Sequence, residues 1–135
     1  VQIVPVVGEI PSNPSPYNNQ LMQITTGHKD EFVPALNSND DSMFALCIET
    51  NAMAPTFVKG DYLIISPEVW TRSGDIAAVE YGNDTQLKAI MQVTYTEDFI
   101  VLESVNHKTP PIALVRGKDH FRIIGRVVHR QQKLA

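Results

Sequence analysis

The sequence predicts a mainly β protein, built from strongly bent antiparallel sheets with little helix. Three observations carry this. Short apolar runs rich in β-branched and aromatic residues recur along the chain, bounded by Gly, Asn, Asp and Pro. No long stretch shows the apolar repeat of a helix. One cysteine in 135 residues excludes an internal disulfide framework, so the fold must rest on an apolar core, and the 43% hydrophobic content supplies one.

Residues 1–20 read as an extended arm. Val4-Pro5-Val6-Val7-Gly8-Glu9-Ile10 is strand-like but interrupted by Pro5, and Pro11, Pro14 and Pro16 follow. Proline offers no N–H and disfavours helix in the residue before it, so loop or polyproline backbone is expected there. Residues 21–135 read as a single β-rich domain. Its first part, 21–42, is mostly polar and is expected to hold little regular structure beyond a weak strand or helical turn at Leu21–Ile24. Strands are expected over Met43–Glu49, Tyr62–Ile65, Ile76–Tyr81, Gln86–Tyr95, Phe99–Ser104 and Phe121–His129. Helix is confined to a short turn near Pro55–Val58 or Pro67–Trp70. Cys47, inside Phe44-Ala45-Leu46-Cys47-Ile48, reads as a buried structural thiol.

Charge and composition narrow the function. A net charge of −4 argues against a domain that grips phosphates itself, because non-specific nucleic-acid affinity comes mainly from Lys and Arg. No apolar run approaches a membrane span, and Val1–Ile10 lacks the flanking charge of a secretory signal, so a cytoplasmic protein without membrane contact is expected. His28, His107, His120 and His129 show no zinc-ligand spacing with one another or with Cys47. No Gly-rich phosphate loop is present either, so no metal or cofactor is expected. A chain that begins at valine reads as a fragment or a processed product.

One stretch carries more specific chemistry. It runs Glu49-Thr50-Asn51-Ala52-Met53-Ala54-Pro55-Thr56-Phe57-Val58-Lys59-Gly60-Asp61. Gly74-Asp75, an apolar strand, the hairpin-like Gly82-Asn83-Asp84 and Leu87-Lys88-Ala89-Ile90 follow. As a set these resemble the self-cleaving C-terminal domain of LexA, lambda-type CI repressors and UmuD. That family carries Ser-Met-x-Pro, then Gly-Asp, an apolar strand, and a lysine on the next strand. The resemblance extends from Val4 to about His129. It implies that Ala52 occupies the nucleophile position and that Lys88 is the general base. Met53, Pro55, Gly60 and Asp61 then shape the site, Asn106 belongs to a structural loop, and Gly125 lies in a closing strand that contributes to a dimer contact. Ala52 has no hydroxyl, so no acyl-enzyme can form. An engineered Ser→Ala exchange and a natural loss both fit.

The residue types suit that chemistry. A serine hydroxyl is a weak nucleophile and needs a base. A lysine serves when neutral, which burial favours. Lys88, flanked by Leu87, Ala89 and Ile90, fits a lysine on an apolar strand. Asp41-Ser42-Met43 imitates part of the serine motif but lacks its proline and Gly-Asp, so Ser42 reads as a solvated residue at a strand start. Family members are cut shortly after a Val-x-Gly-x-Val-like stretch. Val6–Ile10 supplies that stretch and sets the cut at Ser12-Asn13. Ser12 is small, but Asn13 departs from the family's glycine and Pro11 and Pro14 flank the bond. Residues 11–16 read equally well as a plain proline-rich linker.

Two functions follow from the resemblance. One is the oligomerisation and regulatory domain of a bacterial or prophage repressor. Such a domain forms a homodimer or higher homo-oligomer and reaches DNA only through a helix-turn-helix domain missing from this chain. It answers to a RecA filament or to an antirepressor protein. The alternative is a Ser-Lys self-cleaving endopeptidase of UmuD type, a polymerase accessory, trapped by Ser→Ala.

Overall fold

The computed structural model describes residues 1–14, 31–36 and 38–132. Nine strands form one sheet: β1 (Gln2–Val7), β2 (Phe32–Ala35), β3 (Phe44–Cys47), β4 (Asp61–Ser66), β5 (Ile76–Tyr81), β6 (Leu87–Tyr95), β7 (Phe99–Ser104), β8 (Ile112–Val115) and β9 (Phe121–Gln132). Their order across the sheet is β2-β1-β3-β4-β9-β5-β6-β7-β8. The chain is mainly β, as expected, and no helix is present among the described residues. The sheet is mixed rather than purely antiparallel, because β1 runs parallel to β3. No helix is long and apolar enough to cross a membrane.

Six of the nine strands fall where the apolar runs lie. β1, β2 and β8 go beyond the sequence reading. Pro5 does not break β1, because it stands where pairing changes hands. Gln2–Pro5 pair with β2, whereas β3 engages only Val6 and Val7. The missing N–H of proline therefore costs no rung on the β3 side. β1 lies inside the core, with Val4 and Val6 fully buried. β2 carries Pro34 in a run of four residues, and β8 follows Pro110-Pro111, so both lack a plain strand signature. The expected element at Leu21–Ile24 lies outside the described residues.

Alternating side chains give β4 two buried faces. Tyr62 and Ile64 pack with Val4, Val6, Val33 and Ala45 on one side. Ile65 packs with Val7, Phe44, Ala78 and Ile124 on the other, where Leu63 joins Ile48, Phe57 and Val105. Ala77, Val79, Val93 and Leu102 form a further cluster under the second half of the sheet. Cys47 is half-buried against the first of these clusters rather than fully enclosed.

β9 joins the two halves. Its C-terminal part pairs with β4 and its N-terminal part with β5. The register shifts in each pairing, once opposite Ile64/Ile65 and once opposite Ala78/Val79. Extra residues at such points bend and twist a strand. Between them lies Gly125, where a Cβ would come within 2.7 Å of Ile65 Cγ2 and 3.1 Å of Pro67 N.

Ser42 is not the solvated residue expected from the sequence. It is 7% exposed. Its N–H donates to Asp40 Oδ1 at 2.8 Å, and its hydroxyl donates to the same oxygen. Ser66 Oγ and the Glu68 N–H serve Asp40 Oδ2. Ser42 is thus part of the shell around a buried carboxylate that ties the segment before β3 to the end of β4.

Candidate functional site

The segment between β3 and β4 is a compact turn that carries Ala52 at its exposed surface. Its base is closed by two backbone bonds. Ile48 N–H donates to the Asp61 carbonyl at 2.8 Å, and Gly60 N–H donates to the Ile48 carbonyl at 2.8 Å. Gly60 has φ +96°, a left-handed backbone that favours glycine. Asp61, 1% exposed, opens β4, and its Oδ2 accepts the Val58 N–H at 2.9 Å. Met53 packs against the cluster of Ile48, Phe57, Leu63 and Val105. Pro55 follows a cis peptide bond and is exposed rather than packed beneath the turn.

A second loop fixes the turn from the side. Asn106 Nδ2 donates to the Ala52 carbonyl at 2.7 Å. Its Oδ1 accepts from Ser104 Oγ at 2.9 Å and from the Lys108 N–H at 3.0 Å, which orients the amide with its NH₂ end toward Ala52. Thr56 Oγ1 donates to the Val105 carbonyl at 2.6 Å. The Ala52 N–H is itself occupied, donating to Thr50 Oγ1 at 3.3 Å.

Lys88 lies near the start of β6, exposed, beside a half-exposed Leu87. The apolar flanks read from the sequence therefore do not bury it. Its Nζ donates to Ser12 Oγ at 3.1 Å. That contact joins residues 76 positions apart and brings the arm to β6. The approach of the arm is apolar. Pro11 is buried, and Ile10 packs against the cluster of Val7, Phe44, Ile65, Ala78 and Ile124. Ile90, two positions from Lys88 and on the same face of β6, packs against that cluster and also against the cluster that holds Met53. Ile90 and Val127 are thus common neighbours of the arm side and the turn side. Ser12 and Asn13 are exposed.

A family model described as Peptidase S24-like matches residues 9–128. The chain belongs to the Peptidase S24-like family. The match begins in the arm, just before Ile10, and ends within β9. It takes in the turn, Lys88 and the arm segment that Lys88 touches. A comparison with curated proteins finds no match.

Some of this S24-like site lies beyond sequence reading. Thr56 carries no signal in the sequence, since its role depends on a loop 49 positions away. Asn106 is visible as a loop residue, but not as the donor to Ala52. Glu80 is a charged residue inside the apolar run of β5, and a buried acid is informative wherever it falls. It stands opposite Lys88 across the sheet. His28 lies outside the described residues, and among those described no group of His, Cys, Asp and Glu is arranged to hold a metal ion.

Proposed function

We propose that this chain is the regulatory and oligomerisation domain of a LexA/CI-like repressor, a self-cleavage scaffold that holds its own arm docked and uncut. One observation carries the reading: Lys88 Nζ donates to Ser12 Oγ, at the residue where the family pattern sets the cut. Substrate segment and candidate base belong to one chain and already touch.

The chemistry runs as follows when a hydroxyl is present at position 52. Neutral Lys88 takes the hydroxyl proton as the oxygen attacks the Ser12 carbonyl carbon. The tetrahedral adduct collapses, and the C–N bond to Asn13 breaks. The departing amine takes the proton from Lys88, leaving Ser12 as an ester on the turn. Neutral Lys88 then takes a proton from water as the water oxygen attacks the ester carbon; the ester C–O bond breaks, Lys88 returns the proton to the residue-52 oxygen, and Ser12 leaves as a free carboxylate. Ala52 supplies no oxygen, so the sequence stops before its first bond is made. What remains is the docked arm and the scaffold that presents it. In a repressor, this scaffold joins two chains so that two DNA-binding heads match two half-sites.

Ala52→Ser tests the reading. Incubated from neutral pH to about pH 10, it releases an N-terminal fragment ending at Ser12, faster as the pH rises toward the ordinary lysine range. A folded Ala52→Ser chain that stays intact at every pH removes the self-cleavage scaffold from the account.

A further inference from the structure

Glu80 faces Lys88 across the sheet. In the β5–β6 pairing Glu80 stands opposite Lys88, and in the β5–β9 pairing it stands opposite Arg122. Directly opposed residues on antiparallel strands share a face, with Cβ atoms about 4.5–5.5 Å apart. The row Arg122, Glu80, Lys88 therefore crosses three strands on the face that also carries Ile90 and Ala78. Glu80 is the carboxylate between two cations, and it is taken by one side only. Its Oε1 lies 2.7 Å from His120 Nε2, and its Oε2 accepts from Arg122 Nη2 at 3.2 Å. Lys88 forms no ion pair with it and points to the arm instead.

The grip is braced. The His120 N–H donates to Asn83 Oδ1 at 2.8 Å, and Asn83 Nδ2 donates to Asp119 Oδ1 at 2.9 Å. Asp119 Oδ2 accepts the Val115 N–H at 2.8 Å. The His120 hydrogen bond holds the Glu80 carboxyl below its ordinary range; burial pushes the other way, and Arg122 adds to the lowering. With its side chain 11% exposed, Glu80 is a poorly screened charge wherever it turns.

We propose that Arg122 and His120 clamp Glu80 away from Lys88, which makes all three positioning residues for the contact between Lys88 and the arm. The proposal rests on the reading of Lys88 as the base of this site. Its physical content is simple. A carboxylate released toward Lys88 favours the ammonium over the amine and draws Nζ off Ser12. Among the described residues, the charged groups facing Glu80 are Lys88 from β6, and Arg122 with the preceding His120 from the β9 side, and the arm brings the Ser12 hydroxyl to Lys88.

The test places Arg122→Met in the Ala52→Ser chain and follows fragment release against pH. The clamp predicts a rate about 10-fold lower at pH 8 and a rate–pH curve displaced upward by roughly one unit. Adding Glu80→Gln returns both to the Ala52→Ser values. A slower rate with an unmoved curve, or no rescue by Glu80→Gln, overturns the clamp and leaves Arg122 a structural residue. If Ala52→Ser never cleaves, the self-cleavage reading fails on its own. The clamp is then read in the chain as given, from the pH midpoint of the Lys88 side-chain NMR signal. An upward move in Arg122→Met, reversed by Glu80→Gln, supports it; an unmoved midpoint overturns it. Should Arg122→Met not fold, His120→Ala removes the other jaw and is judged by the same outcomes.

Discussion

Asn106 reaches 54 positions back along the chain to hold the Ala52 carbonyl. A group that fixes the backbone at the position proposed for the nucleophile acts on geometry, and small misplacements there are costly to rate. Asn106→Ala in the Ala52→Ser chain is predicted to slow fragment release by roughly 10-fold to 100-fold. The accompanying loss of stability is about 1 kcal/mol, one hydrogen-bond network at an exposed loop. Rates from intact-mass time courses and a urea melt separate the two effects. Asp40 makes a contrasting case. It is 3% exposed and serves two hydroxyls and two backbone N–H groups. Asp40→Ala leaves those donors unmet and is predicted to cost about 2–4 kcal/mol in denaturant unfolding. Neither role was open to sequence reading. Ser42 looks like an ordinary polar residue before an apolar run, and only the fold shows that it joins Ser66 in enclosing the Asp40 carboxylate.

Among the elements, β9 carries the greatest constraint. It serves both halves of the sheet, and Gly125 is the point where the end of β4 presses on it. Gly125→Ala is predicted to destabilise by about 1–3 kcal/mol, because Ile65 and the backbone at Ser66–Pro67 must move. Thermal melts of this one variant check it. The central strands were legible because their apolar runs are bounded by turn residues: Gly60-Asp61, Gly74-Asp75, Gly82-Asn83. β1, β2 and β8 were not, since each holds or adjoins proline, and β1 and β2 draw their place from partners far along the chain. The site divides in the same way. The turn and the lysine strand are local patterns and can be read. The contact of Lys88 with Ser12 depends on where β1 delivers the arm, and the parallel pairing of β1 with β3 sets that.

At the scale of the whole molecule, pH sets the window in which the site can be studied. Asp40, Glu80 and Asp119 all lie below the ordinary carboxylate range. For Asp40, burial pushes upward but the Ser42 and Ser66 hydrogen bonds prevail; for Glu80 the His120 hydrogen bond leads; for Asp119 the Val115 N–H leads. A folded value below the unfolded one gives stability that is present above about pH 4 and is lost as pH falls further. Tyr62 acts at the other end. Its hydroxyl donates to Glu31 at 2.5 Å, which raises it to about 12. That contribution is complete below about pH 10 and fades as pH rises toward 12. Unfolding midpoints against pH should therefore fall below about 4 and again above about 10. The ordinary lysine range lies at the upper edge of that window, so cleavage is best followed from neutral pH up to about pH 10.

Val128 and His129 of β9 line an apolar cleft with Ala35, Leu36 and Val69. Sedimentation is predicted to show a dimer, with Val128→Asp shifted toward the 15.0 kDa monomer. A monomer at high concentration in the unaltered chain removes the oligomerisation role.

Lys88 and the arm residue Ser12 are proposed to meet as base and substrate. Intact-mass spectrometry of Ala52→Ser beside the double variant Ala52→Ser, Lys88→Ala at about pH 9 tests it most directly. A cut after Ser12 is expected in the first and an intact chain in the second. Equal cutting in both, or a cut elsewhere in the arm, would contradict it.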